Sequence, residues 1–321
     1  GATALASPLS ALAQPTTKVW RVGYLQSSAR PASLDSGQSG AFVAGMRELG
    51  YTEGKNLIVE WRFSEGRAEL LPVFAAELVR LQVDVIITAS TAATIAAQKT
   101  TTTVPIVMLN TGDPVGTGLV KSLAHPGGNI TGTASMNADL SSKLLEMLRS
   151  MAPGLSRVAV LVNPDNPFHA ATLKRVQDAA KRTGTTILAI EARTPQEIEN
   201  AFARMVREKA GGLIVIRDLF FVAPQQVRQI ADLAAKNRLP SIAAGPEIVE
   251  AGALMSYGAN PDAIYRRTAT YVDKIFKGAK PADLPVEQPM RFELIINGKT
   301  AKALGLKIPQ SLLIMADKVI E

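Results

Sequence analysis

The chain has 321 residues, of which 47% are hydrophobic and only 5% aromatic, and it contains no cysteine. That length suits two domains, the Ala, Val, Ile and Leu stock suits buried parallel strands rather than a disordered chain, and the missing thiols exclude disulfides, thiolate metal sites and thiol catalysis. Basic residues outnumber acidic ones 35 to 28, a formal charge of +7, but they are scattered with no aromatic-interleaved basic run, so nucleic acid is not an expected partner and the charge serves solubility.

The start reads as an address. Thr3 to Gln14 is rich in Ala and ends in the small-x-small triplet Ala11-Leu12-Ala13, which resembles the tail of a secretory signal cleaved near Ala13. Residues 1–17 are therefore expected to be a residual signal or a disordered leader, and the mature protein to be periplasmic. An Ala-rich linker is the plain alternative. No later apolar run approaches the roughly 18 residues needed to span a bilayer.

From Lys18 onward, short apolar runs alternate with amphipathic stretches, the grammar of a parallel sheet with crossover helices. Val19–Leu25 predicts a strand ending in a polar loop, and Phe42, Met46 and Leu49 predict a helix that Gly50 stops. Asn56–Trp61 is a second strand; Leu70, Phe74, Leu78 and Leu81 form a helical stripe before the strand Val83–Thr88. An Ala-rich helix after Ser90-Thr91 leads to the strand Val104–Leu109, whose Pro105 sits at its opening, where a missing N–H costs little. Asn110 to Gly132 reads as a loop rich in Gly and Pro. Beyond it the pattern restarts with a helix through Leu140, Leu144, Leu148 and Met151 and the strand Arg157–Val162.

Strands at Thr186–Ile190, Gly212–Ile216 and Leu239–Ala243 follow, the last with Pro240 placed as Pro105 is, between helical stripes at Leu173/Val176/Ala180, Ile198/Phe202/Met205 and Val227/Ile230/Ala234. The halves read as structural repeats. The late segments, a short strand through Tyr257, a helix from about Pro261 to Phe276, a stiff linker at Pro281–Pro285 and a strand at Phe292–Ile296, suit a multi-stranded hinge. The expected division is a first lobe of residues 18–132 plus about 257–283 and a second of 133–256 plus about 284–321.

Catalytic and cofactor motifs are missing. The two histidines, His125 and His169, have no carboxylate at metal-ligand spacing. No phosphate loop, dinucleotide fingerprint or nucleophile elbow is present, and the Asp113-Pro114 pair makes Gly112–Gly118 a turn rather than a phosphate nest. No cofactor and no enzyme activity are expected. An acid/base pair of Asp113 and Asp218 across the lobes is the enzyme alternative, and neither has a visible partner to tune it.

What remains are polar loops at the carboxyl ends of strands, where open α/β sheets bind ligands. In the first half these carry Ser27, Ser28, Ser90, Thr91, Thr111 and Asp113; in the second, Asn163, Asn166, Arg217, Asp218 and Gly245. Ser90 or Thr91 lies where a helix should begin, so backbone N–H groups and a hydroxyl are placed to receive a carboxylate. Asp218 suits an ammonium and Arg217 a carboxylate, with a solvent-exposed pair as the alternative. Phe220, Phe221 and Tyr257 are candidates to wall an apolar part of the ligand, and core packing accounts equally well for the two phenylalanines.

Several segments carry a more specific likeness. Glu48–Asn56, Asp113–Val120, Pro126–Gly132, Lys277–Val286 and Asn297–Leu306 with Ile308-Pro309 resemble, in order along the chain from Lys18, the ABC transporter substrate-binding family that includes tryptophan-binding lipoproteins. The resemblance implies a type I periplasmic-binding-protein fold, two doubly wound lobes joined by three crossovers, with a small carboxylate-bearing ligand in the cleft and an ABC permease in the inner membrane as partner. It implies pocket roles for Ser27, Thr91, Asp113 and Asp218. The expected ligand is a small organic acid or an amino acid, aromatic ones included; the arginine preceding Asp218 and the two phenylalanines after it leave the amino-acid site open, and an acid without an amine suits that arginine better. A monomer is expected. A sensory module of a receptor or regulator is the second functional class.

Overall fold

The computed structural model describes residues 18–321; the expected signal remnant and its cleavage near Ala13 lie outside the described residues. The first half runs β1 (Trp20–Gln26), α1 (Gly37–Glu48), β2 (Leu57–Phe63), α2 (Leu70–Arg80), β3 (Val85–Thr88), α3 (Thr91–Thr100), β4 (Ile106–Thr111) and β5 (Ile130–Ala134). The second half runs α4 (Asn137–Met151), β6 (Arg157–Val162), α5 (Pro167–Lys181), β7 (Thr186–Glu191), α6 (Pro195–Arg207), β8 (Gly212–Val215), α7 (Pro224–Lys236), β9 (Ser241–Ala243), α8 (Glu247–Glu250) and β10 (Met255–Ala259). The chain then adds α9 (Pro261–Phe276), β11 (Phe292–Asn297), α10 (Gly298–Ala303), α11 (Gln310–Met315) and β12 (Lys318–Ile320).

Local sequence explains these elements. In α6, Thr194 accepts a hydrogen bond from the Glu197 N–H while the Glu197 carboxylate accepts one from the Arg193 N–H, and Pro195 occupies the first turn. This reciprocal cap fixes the helix start, and Ile198, Ala201, Phe202 and Met205 then form its buried stripe. Along β6, Val158, Val160 and Val162 enter one core and Ala159 and Leu161 another, as the two-residue period of a strand requires. The first sheet likewise has a core on each face. Burial on both faces is why the central strands are continuous runs of Val, Ile and Leu.

The first sheet has the order β2-β1-β3-β4-β5 and the second β12-β11-β10-β9-β8-β6-β7. The first five strands of each half thus follow the same doubly wound order, second-first-third-fourth-fifth. All pairings are parallel apart from β10 with β11. The two prolines repeat as well: the Pro105 carbonyl accepts from the Ile86 N–H and the Pro240 carbonyl from the Leu213 N–H, so each opens its strand as an acceptor only.

Strand β5 begins inside the segment read from sequence as a loop through Gly132 and runs on to Ala134. Its Ile-Thr-Gly-Thr-Ala sequence has too few large apolar residues to signal a strand, yet all five residues are buried. After β11 the chain forms two short helices, α10 and α11, and the edge strand β12.

Three connections join the halves. Ser135-Met136 links β5 to α4, Asn260 links β10 to α9, and residues 288–291 precede β11. The expected boundaries shift accordingly. Tyr257 to Ala259 belong to β10 of the second sheet, and residues 284–287 remain with the first, where Glu287 bridges Thr133 and the Val286 N–H bonds the Leu123 carbonyl. Helix α9 returns to the first lobe and packs on α1. A methyl group at Gly45 would stand 3.0 Å from the Ala269 Cβ, so glycine permits that close approach. Asn260 ties its connection to β11: its Oδ1 caps α9 at the Ala263 N–H and its Nδ2 reaches both oxygens of Glu293 at 3.1 and 3.2 Å.

Candidate functional site

In each sheet the strand order reverses beside the first strand, between β1 and β3 and between β6 and β8, and the crevice at that point is where ligands bind in such sheets. In the first lobe the crevice is lined with hydroxyls. Ser27 follows β1 and Ser90 follows β3, and their Oγ atoms are 2.6 Å apart. Ser90 is also the N-cap of α3, accepting from the Ala93 N–H at 3.1 Å, and Thr91 accepts from the Gly112 N–H at 3.1 Å. Three loops are thereby fixed around a helix start whose first N–H groups have no intrahelical acceptor and whose dipole favours an anion. Ser28 accepts from the Gln26 side chain at 2.7 Å.

Two first-lobe expectations change. Thr111 is completely buried and its hydroxyl lies 3.2 Å from that of Thr94, which is 2.8 Å from that of Thr88. It belongs to a hydroxyl chain beneath α3 rather than to the crevice surface. Asp113 is exposed and turned onto its own turn: its Oδ1 accepts from the Gly116 N–H at 2.9 Å and its carbonyl from Thr117. It has a positive φ of 35°.

The second-lobe crevice is built on a buried carboxylate. Asp218 receives the Asn163 Nδ2 at 3.0 Å, the Asn166 Nδ2 at 2.8 Å and the Phe220 N–H at 2.9 Å. A carboxylate accepts about four hydrogen bonds, so a further donor, such as an ammonium, is accommodated. His169 underlies this arrangement. Its Nδ1 accepts from the Asn163 N–H at 2.9 Å, while its Nε2 lies 3.3 Å from the Arg217 carbonyl and 3.6 Å from Asp218. The imidazole is therefore neutral with its proton on Nε2. Burial holds its pKa below the ordinary 6.5, against the opposing pull of Asp218.

The consequence for pH follows from linkage. The unfolded chain takes up a proton on His169 as pH falls through 6.5, whereas the folded chain resists it, so stability is lost downward from that point. Thermal melts of wild type between about pH 7 and 5 are expected to fall more steeply than those of His169→Gln. Parallel profiles would contradict the assignment of a buried neutral imidazole.

Arg217 and Asp218, adjacent in sequence, do not pair. Arg217 binds Glu247, with Nε at 3.0 Å and Nη2 at 2.7 Å from the same oxygen. Gly245 is buried with φ +150°. Phe220 is half-buried with its ring 5.4 Å from that of Phe221, which is core, and Tyr257 stands 5.9 Å from Phe292 near the connections.

Sequence reasoning missed the residues through which the lobes meet. The Phe168 ring, at the start of α5, covers Gly112 of the first lobe, 3.4 Å from where a Cβ would stand. Tyr265 of α9 lies in the field of Arg217 and Glu247 of the second lobe; burial pushes its pKa up to about 12, with Arg217 drawing it back. Beside it the Tyr24 hydroxyl, raised well above its ordinary value by burial, has no hydrogen-bond partner of good geometry. An aromatic beginning a helix and a tyrosine on a returning helix carry no distinctive local pattern, so only the tertiary arrangement reveals them.

Two doubly wound lobes, joined by three connections and facing each other across polar strand ends, define a solute-binding protein of the type I periplasmic-binding architecture. The model of the ABC transporter substrate binding protein family matches residues 30–320, and the chain belongs to that family. A curated relative, the tyrosine-binding protein of Clostridioides difficile, is 28% identical over 276 residues, covering 86% of this chain and 78% of its own. The crystal structure of an ABC domain in complex with L-Trp from Streptococcus pneumonia superposes with a TM-score of 0.84 at 25% identity, over 94% of this chain and 100% of that one. A ligand-free, open substrate-binding protein with adhesive properties from Clostridium difficile gives 0.70 at 27% identity, over 94% and 99%. The chain thus superposes better on the relative solved with L-Trp than on the open one. Among the described residues no helix is long and apolar enough to cross a membrane.

Proposed function

We propose that this substrate-binding protein carries an aromatic α-amino acid as its zwitterion, held between the hydroxyl-lined start of α3 and the Asp218 crevice. The observation that supports this most is the opposite polarity of the two crevices. Ser27, Ser90, Thr91 and the α3 N-terminus suit the ligand carboxylate, and Asp218 suits its ammonium. Arg217, which made a bare organic acid attractive from sequence, is occupied by Glu247, so that preference lapses. Phe168, which reaches Gly112 of the first lobe, and the half-buried Phe220 beside Asp218 are the proposed flanks of the ligand's ring. The relatives named for tyrosine and solved with L-Trp agree with this reading.

The Ala-rich start supports export to the periplasm, the family role supports delivery to an ABC permease, and the proposed acting form is a monomer. Calorimetric titration separates the possibilities. L-Tryptophan or L-tyrosine is expected to bind with one-to-one stoichiometry, while tryptamine and indole-3-propionate, each lacking one charge, bind at least on the order of 100-fold more weakly. Equal affinity for the amino acid and either analogue would refute the zwitterion reading.

A further inference from the structure

The ligand contacts proposed above leave one pair of charges in the cleft without a role. Arg217 and Glu247 stand just beyond the carboxyl ends of β8 and β9, adjacent strands of the second sheet. Their side chains are only 18% and 22% exposed, and both guanidinium contacts converge on the Glu247 Oε1. The other carboxylate oxygen lies over Gly245, where a Cβ would stand 2.5 Å from it, so the glycine at φ +150° is what allows Glu247 to fold back onto Arg217. From the first lobe, Tyr265, 6% exposed, lies within the electrostatic reach of both Arg217 and Glu247. The ion pair is therefore positioned by its own lobe and faces Tyr265 of the other.

An arginine in a cleft is well suited to grip a carboxylate through two parallel N–H groups. Glu247 occupies those donors and cancels the charge. We propose that Glu247 is a specificity-determining residue: by neutralising Arg217 it withholds a second anion site and so turns away aromatic acids that carry a carboxylate but no ammonium. The inference rests on the amino-acid reading above and adds to it a named source of discrimination. A bare acid entering the cleft leaves Asp218 without its ammonium and finds no free cation to compensate.

The test compares L-tryptophan with indole-3-propionate, which differs only in lacking the ammonium, by calorimetry on wild type, Glu247→Gln and Arg217→Gln, each checked for folding by circular dichroism. In Glu247→Gln the released Arg217 is expected to raise the affinity for indole-3-propionate relative to L-tryptophan by about tenfold. In Arg217→Gln the uncompensated Glu247 is expected to move the same ratio in the opposite direction. A pair that merely braces the loops would weaken both ligands alike and leave the ratio at its wild-type value in both variants, and that result overturns the proposal. Because the two shifts are opposite in sign, either variant that folds decides the matter. If wild type binds neither L-tryptophan nor L-tyrosine, the amino-acid reading fails in its own titration. The Glu247 assignment is then decided by whether Glu247→Gln gains indole-3-propionate binding that wild type lacks.

Discussion

Replacing Asp218 by alanine is expected to remove amino-acid binding and to loosen the second lobe together. The carboxylate ties two chain segments together: the loop between β6 and α5, through Asn163 and Asn166, and its own loop, through the Phe220 N–H. Deleting it strands three donors, each costing about 1–3 kcal/mol if buried without a partner. It also removes the charge proposed to hold the ligand ammonium, worth on the order of 100-fold in affinity. Asp218→Asn separates the two effects. It preserves the shape and much of the fold but not the charge, so it is expected to melt closer to wild type than Asp218→Ala and yet bind L-tryptophan as poorly. Wild-type affinity in Asp218→Asn would show that the ammonium is held elsewhere.

Gly132→Ala is expected to give the largest loss of stability of any single methyl addition considered. Gly132 lies in β5 with φ +126°, and a Cβ there would stand 2.1 Å from the Met108 carbonyl oxygen and 2.7 Å from the Met108 N. The clash is with the backbone of β4, at the register irregularity between Met108 and Thr111, so no rotamer change relieves it. Strain at such a φ and overpacking of a close-packed strand pair add to about 3 kcal/mol or more. The loop between β4 and β5 carries Gly112 and Asp113 at its start, so displacement of β5 is also expected to weaken ligand binding. Chemical denaturation would measure the change, and a midpoint equal to that of wild type would contradict the described β4–β5 geometry.

Much of the architecture is legible in the sequence because buried parallel strands leave little choice of residue. Val158–Val162 and Val85–Thr88 announce themselves, and Pro105 and Pro240 mark equivalent strand openings. Strand β5 is not legible, because Thr131, Gly132 and Thr133 are chosen for a close backbone approach and for hydrogen bonds rather than for bulk. The loops that form the crevices were readable for the same reason as the fold, since they are the polar ends of apolar runs. The direction of each side chain was not. Thr111 and Ser90 are both hydroxyl residues at strand ends, but one ends in a buried hydroxyl chain and the other caps a helix. Arg217 and Asp218 invite pairing by adjacency, yet Arg217 reaches 30 residues forward to Glu247 and Asp218 reaches 52 residues back to Asn166. Long-range partners of this kind are set by topology, and no local pattern encodes them.

The family and the fold make this a substrate-binding protein of an ABC transporter; the claim particular to this chain is that its two crevices divide a zwitterion between them. The most direct test is a crystal structure with L-tryptophan or L-tyrosine bound. It is predicted to place the carboxylate within hydrogen-bonding distance of Ser27, Ser90 or Thr91 at the start of α3 and the ammonium on Asp218. A ligand bound the other way round, or with its carboxylate on Arg217 and Glu247 displaced, would contradict it.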